Sequence, residues 1–63
     1  MAKFNITIKF HDTVTEEQKA EVLERLHVNG LEFEINASSK IGAAEAVFKL
    51  GGGHIETVDV KGG

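Results

Sequence analysis

The sequence predicts an α+β domain of two layers: a three-stranded sheet in β-α-β-α-β order, with two helices on one face and an open polar face opposite. Three observations carry this. Apolar and polar residues alternate with period two near the start, in the middle and near the end of the chain, which is the pattern of half-buried strands. Between these lie two stretches of helical spacing, each opened by capping residues and closed by residues that tolerate a left-handed backbone. Because the strands alternate instead of reading apolar throughout, helices should cover only one face of the sheet.

In the first strand Phe4, Ile6, Ile8 and Phe10 alternate with Asn5, Thr7 and Lys9. Thr15 then stands three residues before Gln18, the spacing of a capping box, with Glu16 and Glu17 at the positive end of the helix dipole. Ala20, Leu23, Leu26 and His27 make the inward stripe with Val22 alongside, Glu21 and Arg25 an outer pair, and Asn29-Gly30 the stop. Leu31, Phe33 and Ile35 alternate with Glu32, Glu34 and Asn36 in the second strand. Ser38 and Ser39 cap a second helix with Ile41, Ala44, Val47 and Phe48 inward, Glu45 and Lys49 paired outside, and Gly51-Gly52-Gly53 as its stop. The broken alternation of Ile55, Val58 and Val60 predicts a third strand with a bulge or irregular start near Ile55. Two right-handed crossovers are the simplest way to join these elements, and an edge strand or antiparallel element within Asn36 to Ile41 is the alternative.

At 63 residues the chain is expected to form one domain, 1–63, around one core. A domain of this size hides only about 60% of the surface its unfolded chain exposes, and such domains often need a staple. There is no cysteine for a disulfide or a thiolate zinc site, so self-association is the common aid that remains. The apolar runs are far shorter than the roughly 20 residues that cross a bilayer, and the start shows no basic segment leading into an apolar one. The expectation is a soluble chain of the cytoplasm, without a membrane role. Its formal charge of −3 opposes the phosphate attraction behind non-specific nucleic-acid binding, so direct nucleic-acid contact is not expected.

Few residues invite a chemical role. His11-Asp12 has the composition of a base and its orienting carboxylate, but it falls at a strand-to-helix junction and reads as a polar turn. His27 and His54 are expected at the pole opposite His11, which speaks against a three-histidine metal site, and no metal or cofactor is implied. The glycine triplet follows a helix, whereas phosphate loops precede one. Ser38 to Gly42, with Lys40, offers helix-terminal amides to an anion, with ordinary capping as the simpler role. What remains is a surface. Asn5, Thr7, Lys9, Glu32, Glu34, Thr57 and Asp59 should line the open sheet face, which reads as mainly acidic and without an aromatic on which an RNA base could stack. Such a face suits a basic protein surface.

The segment "LEFEINASSKIGAAEAVFKL" leading into "HIETVDVKG" resembles the strand-helix-strand unit of small phage-encoded proteins that inhibit host enzymes, among them RNA-polymerase inhibitors and anti-CRISPR proteins. That resemblance implies a viral protein acting in the host cytoplasm. Phe48 to Leu50 also makes the second helix similar to one in the histidine-containing phosphocarriers of sugar uptake. His11, Asp12 and Thr13 stand where that family has its histidine, arginine and proline, so phosphotransfer is not implied.

The expectation is therefore a non-enzymatic modulator or inhibitor of a host or cellular protein. Its candidate partner-binding residues are Thr7, Lys9, Glu32, Glu34 and Asp59 on the face, with His11 and Asp12 from the adjoining turn. The alternative is an assembly subunit that forms a homodimer by strand-edge pairing, with the first strand as the pairing edge if it lies outside. An anion site at Ser38 to Gly42 is a third reading.

Overall fold

A computed structural model describes residues 2–62. Strand β1 runs from Ala2 to Phe10, helix α1 from Glu16 to Leu26, strand β2 from Glu32 to Ala37, helix α2 from Lys40 to Gly51 and strand β3 from Ile55 to Gly62, with one 3₁₀ turn at Gly52–His54. The fold is α+β in the expected order. The sheet order is β2-β1-β3, and both outer strands run antiparallel to the central β1.

This pairing replaces the two crossovers between neighbouring strands that the sequence suggested. The cause is the segment 27–31. His27 leaves α1 in the left-handed conformation, and the bends at residues 29–31 lead the chain from there back to the sheet. The chain thus returns beside the end of β1, where the Ile8 amide donates to the Leu31 carbonyl at 3.0 Å. β2 must then run antiparallel. It ends beside Ala2, whereas β3 starts beside Phe10, so α2 spans the length of the sheet between them. β1 is consequently the centre of the sheet and cannot be the free edge expected for pairing.

The alternation in β1 puts Phe4, Ile6, Ile8 and Phe10 into the core, Ile6 only 1% exposed. Val14, Val22, Ala43, Val47 and Ile55 complete it, and Phe33, Ile35, Val58 and Val60 pack against it as half-buried edge-strand residues. The expected irregularity near Ile55 is present as a register shift. Phe10 faces Ile55 but Lys9 faces Thr57, which leaves Glu56 as the extra residue.

At the start of α1 the capping box closes. Gln18 donates its amide to Thr15 Oγ1 at 3.2 Å, and Thr15 donates its own to Gln18 Oε1 at 3.0 Å. The helix ends earlier than Asn29-Gly30 suggested, because His27 takes the left-handed conformation at φ 58°. The amide of Val28 then reaches the Leu23 carbonyl at 3.0 Å, and that of His27 reaches Glu24 at 3.1 Å, satisfying carbonyls the helix would leave open. Of the expected stripe, Ala20 and His27 are exposed and Val22 is the fully buried residue. Glu16 and Lys19 form the ion pair of this helix, at 3.2 Å.

The phase of α2 also differs from expectation. Ala43, Val47 and Gly51 face the core, while Ile41 is 72% and Phe48 40% exposed. The helix is rich in small and apolar residues on nearly all sides, so its periodicity scarcely selects a face, and close approach of backbones then favours the smallest side chains. Gly51 shows the constraint. A Cβ there would overlap Ile55 Cδ1 and stand 2.7 Å from Ile55 Cγ1.

Gly51→Ala should therefore destabilise the fold by about 1 to 3 kcal/mol through overpacking, whereas Gly53→Ala, which meets open space, should unfold near the parent midpoint in urea. His27→Gly should stabilise by a few tenths to about 1 kcal/mol by removing left-handed strain at a site that suits glycine. Urea unfolding of the three variants checks both statements.

Candidate functional site

Residues at every second position of a strand share a face, so the burial of Phe4 to Phe10 turns Lys3, Asn5, Thr7 and Lys9 outward. The pairing register lays their neighbours across the sheet in rows. Glu32, Thr7 and Asp59 make one row, and Glu34, Asn5 and Lys61 the next. Lys9 with Thr57 lies on one side of these rows and Lys3 with Asn36 on the other. All ten side chains are exposed. Five of the seven candidate residues, Thr7, Lys9, Glu32, Glu34 and Asp59, are thus brought onto one surface. Its middle is a shallow depression lined by Asn5, Thr7, Glu32, Glu34 and Lys61 over the backbone of Ile6 and Phe33.

The face is less one-sided in charge than the sequence suggested. Lys3 and Lys61 belong to it as well, so Lys3, Lys9 and Lys61 stand against Glu32, Glu34 and Asp59. The two missed lysines were legible in the alternation, which extends past the apolar residues at both strand ends. Charge is distributed by strand: β2 contributes only carboxylates, β1 only ammonium groups, and β3 one of each. Lys3 Nζ lies 3.8 Å from Glu34 Oε2, with both side chains largely in solvent.

His11 and Asp12 lie beyond the end of β1, exposed in the turn before α1, and are not part of the face. The antiparallel sheet also changes the placement of the histidines. His54 is not at the pole opposite His11: the His11 amide donates to the His54 carbonyl at 3.1 Å, tying the end of β1 to the 3₁₀ turn. Among the described residues no group of three or more His, Asp or Glu side chains is placed to hold a metal ion. Ser39 caps α2, its Oγ accepting the Gly42 amide at 3.0 Å, so one of the amides offered to an anion is already engaged. Of the four phenylalanines, Phe4, Phe10 and Phe33 lie on the core side of the sheet, and Phe48, expected to face inward as well, is on the exposed flank of α2.

Compared with family models, curated proteins and solved structures, the chain matches none. The geometry of the face is thus the ground for a functional reading. Among the described residues no helix is long and apolar enough to cross a membrane.

The exposed Lys3–Glu34 pair should contribute less than about 0.5 kcal/mol, because solvent screens it and two long side chains lose freedom. A double-mutant cycle of Lys3→Ala and Glu34→Ala, read by urea unfolding, should give a coupling energy within that limit.

Proposed function

We propose that this chain is a protein-binding module, a modulator or inhibitor of a host or cellular protein, that engages its partner through the open sheet face. The observation that carries the reading is the two-sidedness of the sheet. One side is committed to the core, while the other presents ten exposed polar or charged side chains in fixed rows. A rigid sheet holds such groups at spacings near 4.8 Å between strands, and complementary charges on a partner can be matched without ordering a loop.

The carboxylates of Glu32 and Glu34 occupy an edge strand, where a basic partner surface can approach from the side as well as from above. The lysines of β1 and β3 then set orientation, since like charges opposed to them would be costly. This is a reading of a binder and not of an enzyme: His11 and Asp12, the pair closest to a base with its orienting carboxylate, sit exposed in a turn. The resemblance to small phage-encoded modulators read in the sequence from Leu31 to Lys61 fits the same reading, with action in the cytoplasm, that of the host if the chain is viral.

Glu32→Lys combined with Glu34→Lys tests it. Parent and variant would be immobilised, exposed to cell lysate, and the bound proteins identified by mass spectrometry. A basic partner captured by the parent should be lost from the variant, with circular dichroism showing both folded, and its binding to the parent should weaken as salt is raised. An identical set of captured proteins from parent and folded variant would overturn the reading.

A further inference from the structure

The outer edge of β3 is built to pair with itself. Alternate residues of a strand direct their backbone groups to opposite neighbours. Ile8 donates its amide toward β2, to the Leu31 carbonyl, so Phe4, Ile6 and Ile8 bond to β2 while Asn5, Thr7 and Lys9 bond to β3. Asp59 stands opposite Thr7 and Lys61 opposite Asn5, and their backbone groups therefore point inward to β1. Those of Val58 and Val60 point out, along an edge that no other strand of the described residues occupies.

Two copies meeting about a two-fold axis must place each residue opposite its symmetry mate's counterpart, and only a few registers are open. The bulge at Glu56 confines the regular edge to Thr57 and beyond. A register centred on Val58 keeps only a short stretch of that edge. One centred on Asp59 opposes the two Asp59 carboxylates. Centred on Val60, the seam has neither defect. The two Val60 residues exchange both backbone hydrogen bonds, and Asp59 of each copy faces Lys61 of the other, in the type of pair whose side chains approach most closely. On the core side, the half-buried Val60 residues of the two copies are drawn together, and Val58 of each lies opposite Gly62 of the other. The β2 edge offers a poorer seam, because Glu32 and Glu34 of both copies would gather along it.

We propose that the chain forms a two-fold homodimer by antiparallel pairing of β3 with β3 of a second copy, centred on Val60 and fixed by reciprocal Asp59–Lys61 pairs. The result is one continuous six-stranded sheet, with all helices on one side and both polar faces on the other. This goes beyond the partner reading and stands or falls separately from it, because it is tested on the purified chain alone and at β3 instead of Glu32 and Glu34.

Sedimentation equilibrium over a dilution series, with far-ultraviolet circular dichroism as a check of folding, decides it. The parent should shift from monomer to dimer as concentration rises. Asp59→Lys and Lys61→Asp, each alone, should weaken self-association roughly tenfold or more, because two attractive pairs become two repulsive ones by symmetry. An equimolar mixture of the two variants should associate one to one, since each then opposes two ammonium groups to two carboxylates. Misfolding could not produce that recovery. Val60→Pro, which removes an outward-facing amide without touching the bonds to β1, should stay folded and monomeric. A parent that is monomeric throughout, single variants that dimerise like the parent, a mixture that does not recover association, or a dimeric Val60→Pro would each overturn the proposal.

Discussion

The burial of Phe4, Ile6, Ile8 and Phe10 is the interaction on which the rest of this structure depends. Their strand has a neighbour on each side, so their side chains lie in the middle of the apolar layer, and the other buried residues join them in one cluster. Phe33 and Ile35 approach from β2, Val58 and Val60 from β3, and Val22, Ala43 and Val47 from the helices above. A chain this short cannot build a second layer of insulation, so Phe33, Ile35, Val58 and Val60 on the edge strands remain half-buried. The largest apolar side chains are therefore concentrated on the one strand that can hide them from both sides.

The same burial creates the open polar face. Period-two geometry means that each apolar residue committed to the core commits its neighbour to solvent, and the antiparallel register brings those neighbours into rows. Open face and core are two faces of one constraint. A substitution that shifted the register by one residue would expose the phenylalanines and bury the charges, losing both at once.

Much of this was legible in the sequence, and the exceptions have particular causes. The capping box at Thr15 and Gln18, the alternation of β1 and the irregularity at the start of β3 are local patterns, set by interactions within a few residues, and each appears in the structure. The inward face of α2 was misread because Ala43, Ala44, Ala46 and Gly51 give the helix no strong polarity of its own. The end of α1 was misread because a histidine took the left-handed position that glycine usually fills. On the candidate face Thr7, Lys9, Glu32, Glu34 and Asp59 were found by alternation alone, but Lys3 and Lys61, lying outside the apolar core of each run, were missed.

By itself the sequence determined the number, kind and order of the elements and which side of each strand is wet, because hydrophobic periodicity and capping act between residues near in the chain. Strand direction and order were decided only in three dimensions. Whether β2 runs with β1 or against it depends on where the segment 27–31 delivers the chain, and the bond from Ile8 to Leu31 holds it beside the end of β1. That choice made β1 central, left β2 and β3 as edges, set Glu32 and Asp59 on either side of Thr7, and brought His11 to His54. None of these has a local signature, because each joins residues far apart in sequence whose proximity exists only once the core has closed.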